Sequence, residues 1–377
     1  MPRSHNRMRI IVSSADEREM VAMVLVIKAI VFIFGGLAYH IVNNQPLHSV
    51  GEFFGIWNRW DGPHYLDIAE HGYQATGENR ILLVFYPLYP WTIRLFAMVF
   101  RNAYLSALIV STIASLAAAL TLYRLVALDY SRRMAREAVW FLFIFPTSYF
   151  LHIDYTESLF LALVLAAFLA ARHDHWPLAG VIGMLAGLTH VNGAILFPAL
   201  AAEAISRLRD TRRFEVRWLW TGLIPVGLLV YLLINYRVTG DATAFLKLEA
   251  DHWVHVAVSP LAGIADSINV ARTYEPYEAQ IIGVQVLIYL AIGLIATIVS
   301  AAMMPLSYTV WMVANWLLFA SQSWDLSTPR YLLAMFPIFI LIARLARSRR
   351  WNAAITTWSF LWLAIFASQF VVGHWTF

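Results

Sequence analysis

Residues 20–42 read MVAMVLVIKAIVFIFGGLAYHIV, a run of 23 residues in which Lys28 and His40 are the only basic side chains and no acidic one occurs. About 20 apolar residues in a helix span the hydrocarbon of a bilayer. Similar runs recur at 103–127, 137–151, 156–172, 176–189, 191–206, 217–237, 281–302, 305–321, 330–346 and 352–372. They are continuously apolar rather than alternating, so they read as helices and not as the strands of a barrel. With 60% hydrophobic and 13% charged residues, the chain has about half the charge of a soluble domain. We therefore expect one all-α integral membrane domain over 1–377, a multi-pass helical bundle of about 11 spans. The first run is too long for a signal-peptide core and lacks a small-residue cleavage site, so it reads as an uncleaved helix.

The charges orient the bundle. With the N-terminus inside, 18 basic residues fall in inner segments: Arg3, Arg7, Arg9 and Arg18, then 124–136, Arg172, 207–217 and 344–350. Eight basic residues fall outside, and Lys28 lies within the first span. This is the positive-inside pattern. The sequence pI near 9.3 thus reflects an inner face suited to anionic headgroups, and nucleic acid is rejected as a partner. The chain has no cysteine, which excludes disulfides, thiolate metal sites and a cysteine nucleophile. Residues 81–100 are apolar but carry Pro87, Pro90 and Arg94. Counting them as a crossing would invert everything downstream, so they are expected to be re-entrant or juxtamembrane. Two outer loops, 43–80 and 238–280, are long enough to suggest function.

The first of these loops holds Trp57-Asn58-Arg59-Trp60-Asp61-Gly62-Pro63-His64-Tyr65-Leu66-Asp67. Gly62-Pro63 favours a helix start and Gly72 a stop, which makes the loop helical. Asp61 then has two readings. It caps that helix while the tryptophans mark the membrane interface. Alternatively, it is a carboxylate held at the bilayer surface to accept a proton in a transfer reaction, with Arg59, His64 and Arg330 near a phosphate leaving group. Glu157, at the start of a span beside Tyr155, either complements a helix N-terminus or serves a site. Tyr86 lies in a proline-broken stretch, and Tyr65 and Trp60 offer packing surfaces for a sugar or a lipid tail. His190 and Asn192 bind a polar substrate or cap the two short helices they join. Arg330, at the outer end of a span, could simply snorkel to headgroups. Asp61, His64 and Asp67 have suggestive spacing, but no closed ligand set appears, and a divalent cation is left open.

Taken in order, these stretches resemble the PIG-V-type mannosyltransferases of the GT-C glycosyltransferase superfamily. The match runs through Arg59-Trp60-Asp61-Gly62-Pro63-His64-Tyr65, Phe85-Tyr86-Pro87-Leu88-Tyr89-Pro90, Phe145-Pro146-Thr147-Ser148, Tyr155-Thr156-Glu157-Ser158, Thr189-His190-Val191-Asn192-Gly193 and Pro329-Arg330-Tyr331. The resemblance implies an inverting transferase that moves a hexose, mannose in that family, from a polyprenyl- or dolichyl-phosphate donor to an acceptor hydroxyl. Catalysis would fall to Asp61 at the outer membrane surface, and the acceptor could be a glycan, lipid or protein. His190 stands where members often have arginine. The use of 25 Arg against two Lys suits a bacterial cell membrane, with the endoplasmic reticulum as the eukaryotic equivalent. Two rival readings are a lipid-linked sugar transporter or flippase and an inactive membrane scaffold of the same fold.

Overall fold

The computed structural model describes residues 13–377, so Arg3, Arg7 and Arg9 lie outside the described residues. The first helix, Ser14–Asn43, begins at a capping box. Ser13 accepts from the Asp16 backbone N–H, and the Asp16 carboxylate takes the Ser13 N–H in return. Six helices among the described residues are long and apolar enough to cross a membrane, and eight if each of two bent pairs is one span. Trp176–Gly187 and Leu306–Ala320 are shorter apolar helices. The stretch expected to span 137–151 instead forms a helix over Arg132–Phe143 and a separate 3₁₀ turn over Ser148–Leu151. Pro146 explains the break, because it disfavours helical backbone at Phe145 and brings no N–H of its own.

The bundle core is made by Ala103–Ala127 packed on Glu157–Arg172. Ala107, Ala114, Ala118, Ala119, Ala167 and Ala171 are buried there, small residues that let helices approach where lipid offers no hydrophobic drive. The opposite surface is apolar too. Ile33, Leu37, Val99, Leu229, Ile295 and Ile298 are all more than half exposed, as a lipid-facing surface requires.

Ion pairs collect one end of the bundle. Glu17 meets Arg124, Arg136 approaches Glu19 at 3.0 Å, and Arg172 approaches Asp129 at 2.8 Å. Arg207 and Arg217 both meet Asp174. The basic segments 124–136, Arg172 and 207–217 therefore share one end with the start of the first helix. The same contacts locate residues 44–102. The helix Ser14–Asn43 starts at the basic end and Ala103–Ala127 finishes there, so the chain between them leaves and returns at the far end. Within it, Glu78–Val84 and Leu88–Phe100 meet at a 111° bend. The far end also gathers two short helices of the first loop, Val50–Gly55 and Asp61–His71, and two of the second, Ala244–Trp253 and Pro260–Thr273.

Candidate active site

The helix Asp61–His71 starts without a side-chain cap, and its N-cap position is Trp60 at φ 55°, ψ −108°. This is a rare conformation for a residue with a Cβ and costs on the order of 1–3 kcal/mol where it occurs. Surrounding contacts impose it. The Tyr155 hydroxyl donates to the Arg59 carbonyl at 3.0 Å and receives the Asp61 backbone N–H at 3.2 Å. The Trp60 ring packs edge-on against Trp375, with centroids 5.3 Å apart. At the other end of the helix, Arg94 Nε donates to the Ala69 carbonyl at 2.6 Å, fixing the bent hairpin to it.

Asp61 does not spend its carboxylate on capping. Arg330 Nη1 donates to Asp61 Oδ2 at 3.0 Å, and Arg330 Nε lies 3.1 Å from Glu157 Oε1. The second contact is an ion pair rather than an aligned hydrogen bond, because Nε finds no acceptor in good geometry. The three side chains are 16%, 10% and 8% exposed for Asp61, Glu157 and Arg330, respectively. Three rings, Phe150, Tyr155 and Tyr331, lie within 5.4 Å of the guanidinium carbon and complete its surroundings. Arg330 itself is presented by a short turn. Asp325 Oδ1 accepts from the backbone N–H of Ser327 at 2.9 Å and of Thr328 at 3.0 Å, and Oδ2 accepts from the Thr328 hydroxyl.

This cluster opens on a cavity of about 1150 Å³. Of the residues singled out by sequence, Trp60, Asp61, His64, Tyr65, Tyr86, His190, Asn192 and Arg330 line it. Glu157 stands behind Arg330, and Tyr155 lies beneath the Asp61 backbone. Arg59 turns the other way: its Nη2 donates to the Val371 carbonyl at 3.0 Å and its Nε to that of Ile56 at 3.2 Å. It secures the loop to the C-terminal helix Arg349–Val371 and does not line the cavity. His190 shares a 2.9 Å hydrogen bond with Asn192 Oδ1, and Asn192 Nδ2 donates to Asn315 Oδ1 at 2.8 Å. Burial, then the nearby Arg330, holds the His190 imidazole down at about 4, so it is neutral at neutral pH. It offers a hydrogen bond there rather than a charge.

Asp67, part of the spacing that suggested a metal, is taken up by His71 Nδ1 at 2.9 Å and Asn79 Nδ2 at 3.0 Å. Among the described residues no group of three or more His, Asp or Glu is disposed to hold a metal ion.

Two features escaped the sequence. Asp154 is fully buried beneath Gly62, and neither of its carboxylate oxygens has a partner among the described residues. Burial pushes it up to about 8, so it is a neutral acid at pH 7. A Cβ on Gly62 would fall 2.4 Å from Asp154 Oδ2, which explains why glycine follows Asp61. The second feature is the cavity wall built by Ala244–Trp253. The only signal for it in the sequence was the i, i+4 spacing of Phe245, Glu249 and Trp253 within a long loop.

These features define a class of fold: an all-helical membrane bundle with an acidic first loop at one end. The architecture is similar to that of ArnT from Cupriavidus metallidurans, solved bound to undecaprenyl phosphate, at TM-score 0.53 and 15% identity over 89% of this chain and 62% of that one. It is also similar to the Archaeoglobus fulgidus oligosaccharyltransferase tethered with an acceptor peptide, at TM-score 0.50 and 12% identity over 93% and 55% of the two chains. The chain thus spans less than two thirds of the length of either. A family model described as dolichyl-phosphate-mannose-protein mannosyltransferase matches residues 86–235, less than half of the chain. Curated protein sequences give no match.

Proposed function

We propose that this protein is an inverting membrane glycosyltransferase that moves a hexose, mannose on the PIG-V-type resemblance, from a polyprenyl-phosphate donor to an acceptor hydroxyl at the extracytoplasmic face. One observation carries the reading: two carboxylates, Asp61 and Glu157, share one buried guanidinium, Arg330, at the wall of a large cavity. The partial family match, the GT-C-like fold and the lipid phosphate bound to the ArnT relative support it.

The chemistry follows from the charges. Arg330 donates to Asp61 and balances its charge. A donor phosphate entering the cavity competes for the same guanidinium, which donates several hydrogen bonds to an anion from a fixed fork. Asp61 is then released to take the proton of the acceptor hydroxyl. The acceptor oxygen bonds to the anomeric carbon from the face opposite the phosphate. The bond from that carbon to the phosphate oxygen breaks, and its electron pair leaves with the lipid phosphate, whose charge Arg330 stabilises. Glu157 keeps Arg330 in place throughout. Apolar lining from Leu228, Leu232 and Leu318 suits the first units of a lipid tail.

The test is covalent transfer by the purified protein in detergent, with undecaprenyl-phosphate mannose as donor. Release of undecaprenyl phosphate with transfer of label to an acceptor supports the reading. A protein that moves the lipid across sealed vesicles but never cleaves it would be a flippase, and the proposal would fail.

A further inference from the structure

The cavity has a second pole. Ala244–Trp253 forms one of its walls, and Phe245, Leu246, Glu249, Ala250 and Trp253 all face in. That is one face of a helix, at i, i+4 spacing. Lys247, Asp251 and His252, on the rest of its surface, are exposed. A single carboxylate, Glu249, therefore sits in the middle of an otherwise apolar inward face. Among the described residues nothing hydrogen bonds to this half-buried carboxylate and no cation pairs with it, whereas carboxylates withdrawn from water are ordinarily paired. Burial pushes it up to about 7.

Its surroundings are aromatic. Trp253 meets Phe85 edge-on at 6.0 Å, and Tyr86 stacks on Tyr231 at 4.0 Å. The Tyr86 hydroxyl is buried and likewise lacks a partner. Phe85 in turn lies 5.4 Å from the His64 ring, on the helix that begins with Asp61. An unpaired acceptor among aromatic rings matches a sugar ring, whose C–H faces pack on aromatic surfaces and whose hydroxyls need acceptors. The charges also orient such a ligand. A phosphate is drawn to Arg330 and repelled by Glu249, so a sugar phosphate enters with its ring towards Glu249.

We propose that Glu249, with Trp253 and Tyr86, forms a subsite for a hydroxylated sugar ring, the carboxylate accepting hydrogen bonds from ring hydroxyls. This rests on the cavity binding a sugar-bearing substrate. The donor hexose and a sugar acceptor share the required chemistry, and the experiment distinguishes them.

Wild-type protein and Glu249→Gln are purified in detergent, and each is titrated with undecaprenyl phosphate, undecaprenyl-phosphate mannose and octyl mannoside. Glutamine preserves shape but removes the charge. Hydrogen bonds to a charged group justify an expected loss of about 10- to 100-fold in affinity. If the subsite holds the donor, that loss falls on undecaprenyl-phosphate mannose. If it holds an acceptor, the loss falls on octyl mannoside alone. In both cases undecaprenyl phosphate loses no affinity for Glu249→Gln, which also shows that the variant is folded. Below pH 7 the wild-type affinity for the sugar-bearing probe should fall towards that of Glu249→Gln. Equal affinity of both proteins for both sugar-bearing probes would overturn the inference and leave the proposed function standing. Failure of wild-type protein to bind undecaprenyl phosphate at all would overturn the function, and the subsite with it.

Discussion

Replacing Arg330 with methionine should separate what this residue does for the fold from what it does for the reaction. The guanidinium lies 3.0 Å from Asp61 Oδ2 and 3.1 Å from Glu157 Oε1, with its side chain 8% exposed. Removing it leaves two largely buried carboxylates without their shared counter-charge. Breaking a buried pair in this way typically costs about 3–5 kcal/mol, because a charge is left uncompensated. Arg330→Met should therefore melt earlier in detergent. Adding Glu157→Gln removes one of the stranded charges and should restore much of that loss. Transfer behaves differently. If Arg330 stabilises the leaving phosphate, its loss costs roughly 10²–10³-fold in rate, and the second substitution does not recover it. Arg330→Lys should fall between, since a single ammonium cannot span both carboxylates as the planar fork does. The assay is initial-rate mannose transfer beside a melting curve for each variant. A folded Arg330→Met protein that transfers within a fewfold of wild type would refute the reasoning.

Three further outcomes follow. Gly62→Ala places a methyl group 2.4 Å from Asp154 Oδ2, and this overpacking should cost about 1–3 kcal/mol in melting experiments and lower transfer by displacing Asp61. A Gly62→Ala protein that matches wild type in both would show that the helix start is looser than described. Asp325→Ala removes the acceptor for the Ser327 and Thr328 N–H groups, a loss of about 0.5–2 kcal/mol for a cap of this kind. Because the turn presents Arg330, donor KM should rise more than stability falls, and an unchanged KM would contradict that link. Asp154 is raised from 3.8 to about 8 by burial, so the folded state holds its proton where the unfolded chain has released it. That difference costs stability increasingly as pH rises from about 4 to about 8. Asp154→Asn should thus match wild type near pH 4 and melt higher at pH 8; a wild-type protein that melts higher at pH 8 would contradict the neutral-acid assignment.

The membrane architecture was legible because its cause is local. Residues 20–42 carry their own apolar length, as do five other helices long enough to cross, whereas the other expected spans are shorter or bent. The reading of 81–100 as non-crossing came from charge parity, and the 111° bend between Glu78–Val84 and Leu88–Phe100 fits either a broken span or a re-entrant loop. The candidate site was legible only in part. Asp61, Glu157 and Arg330 attract attention individually as ionisable groups at membrane depth. That they meet depends on pairing across 269 residues, for which no local pattern exists. Arg59 shows the reverse. It sits two residues from Asp61, yet its guanidinium is claimed by a carbonyl 312 residues away. The interrupted helix at 144–147 was signalled by Pro146, but a mean apolarity that favours a span concealed it. Glu249 was hidden because a lone glutamate in a long loop looks solvated until the tertiary fold turns it inward.

The central claim is that Asp61 takes the acceptor's proton while Arg330 holds the phosphate. Single-turnover transfer from undecaprenyl-phosphate mannose by wild type and Asp61→Asn tests it most directly. The expected result is donor binding retained and the transfer rate reduced by roughly 10²–10⁴-fold, the usual contribution of a general base. A normal rate from Asp61→Asn would contradict it.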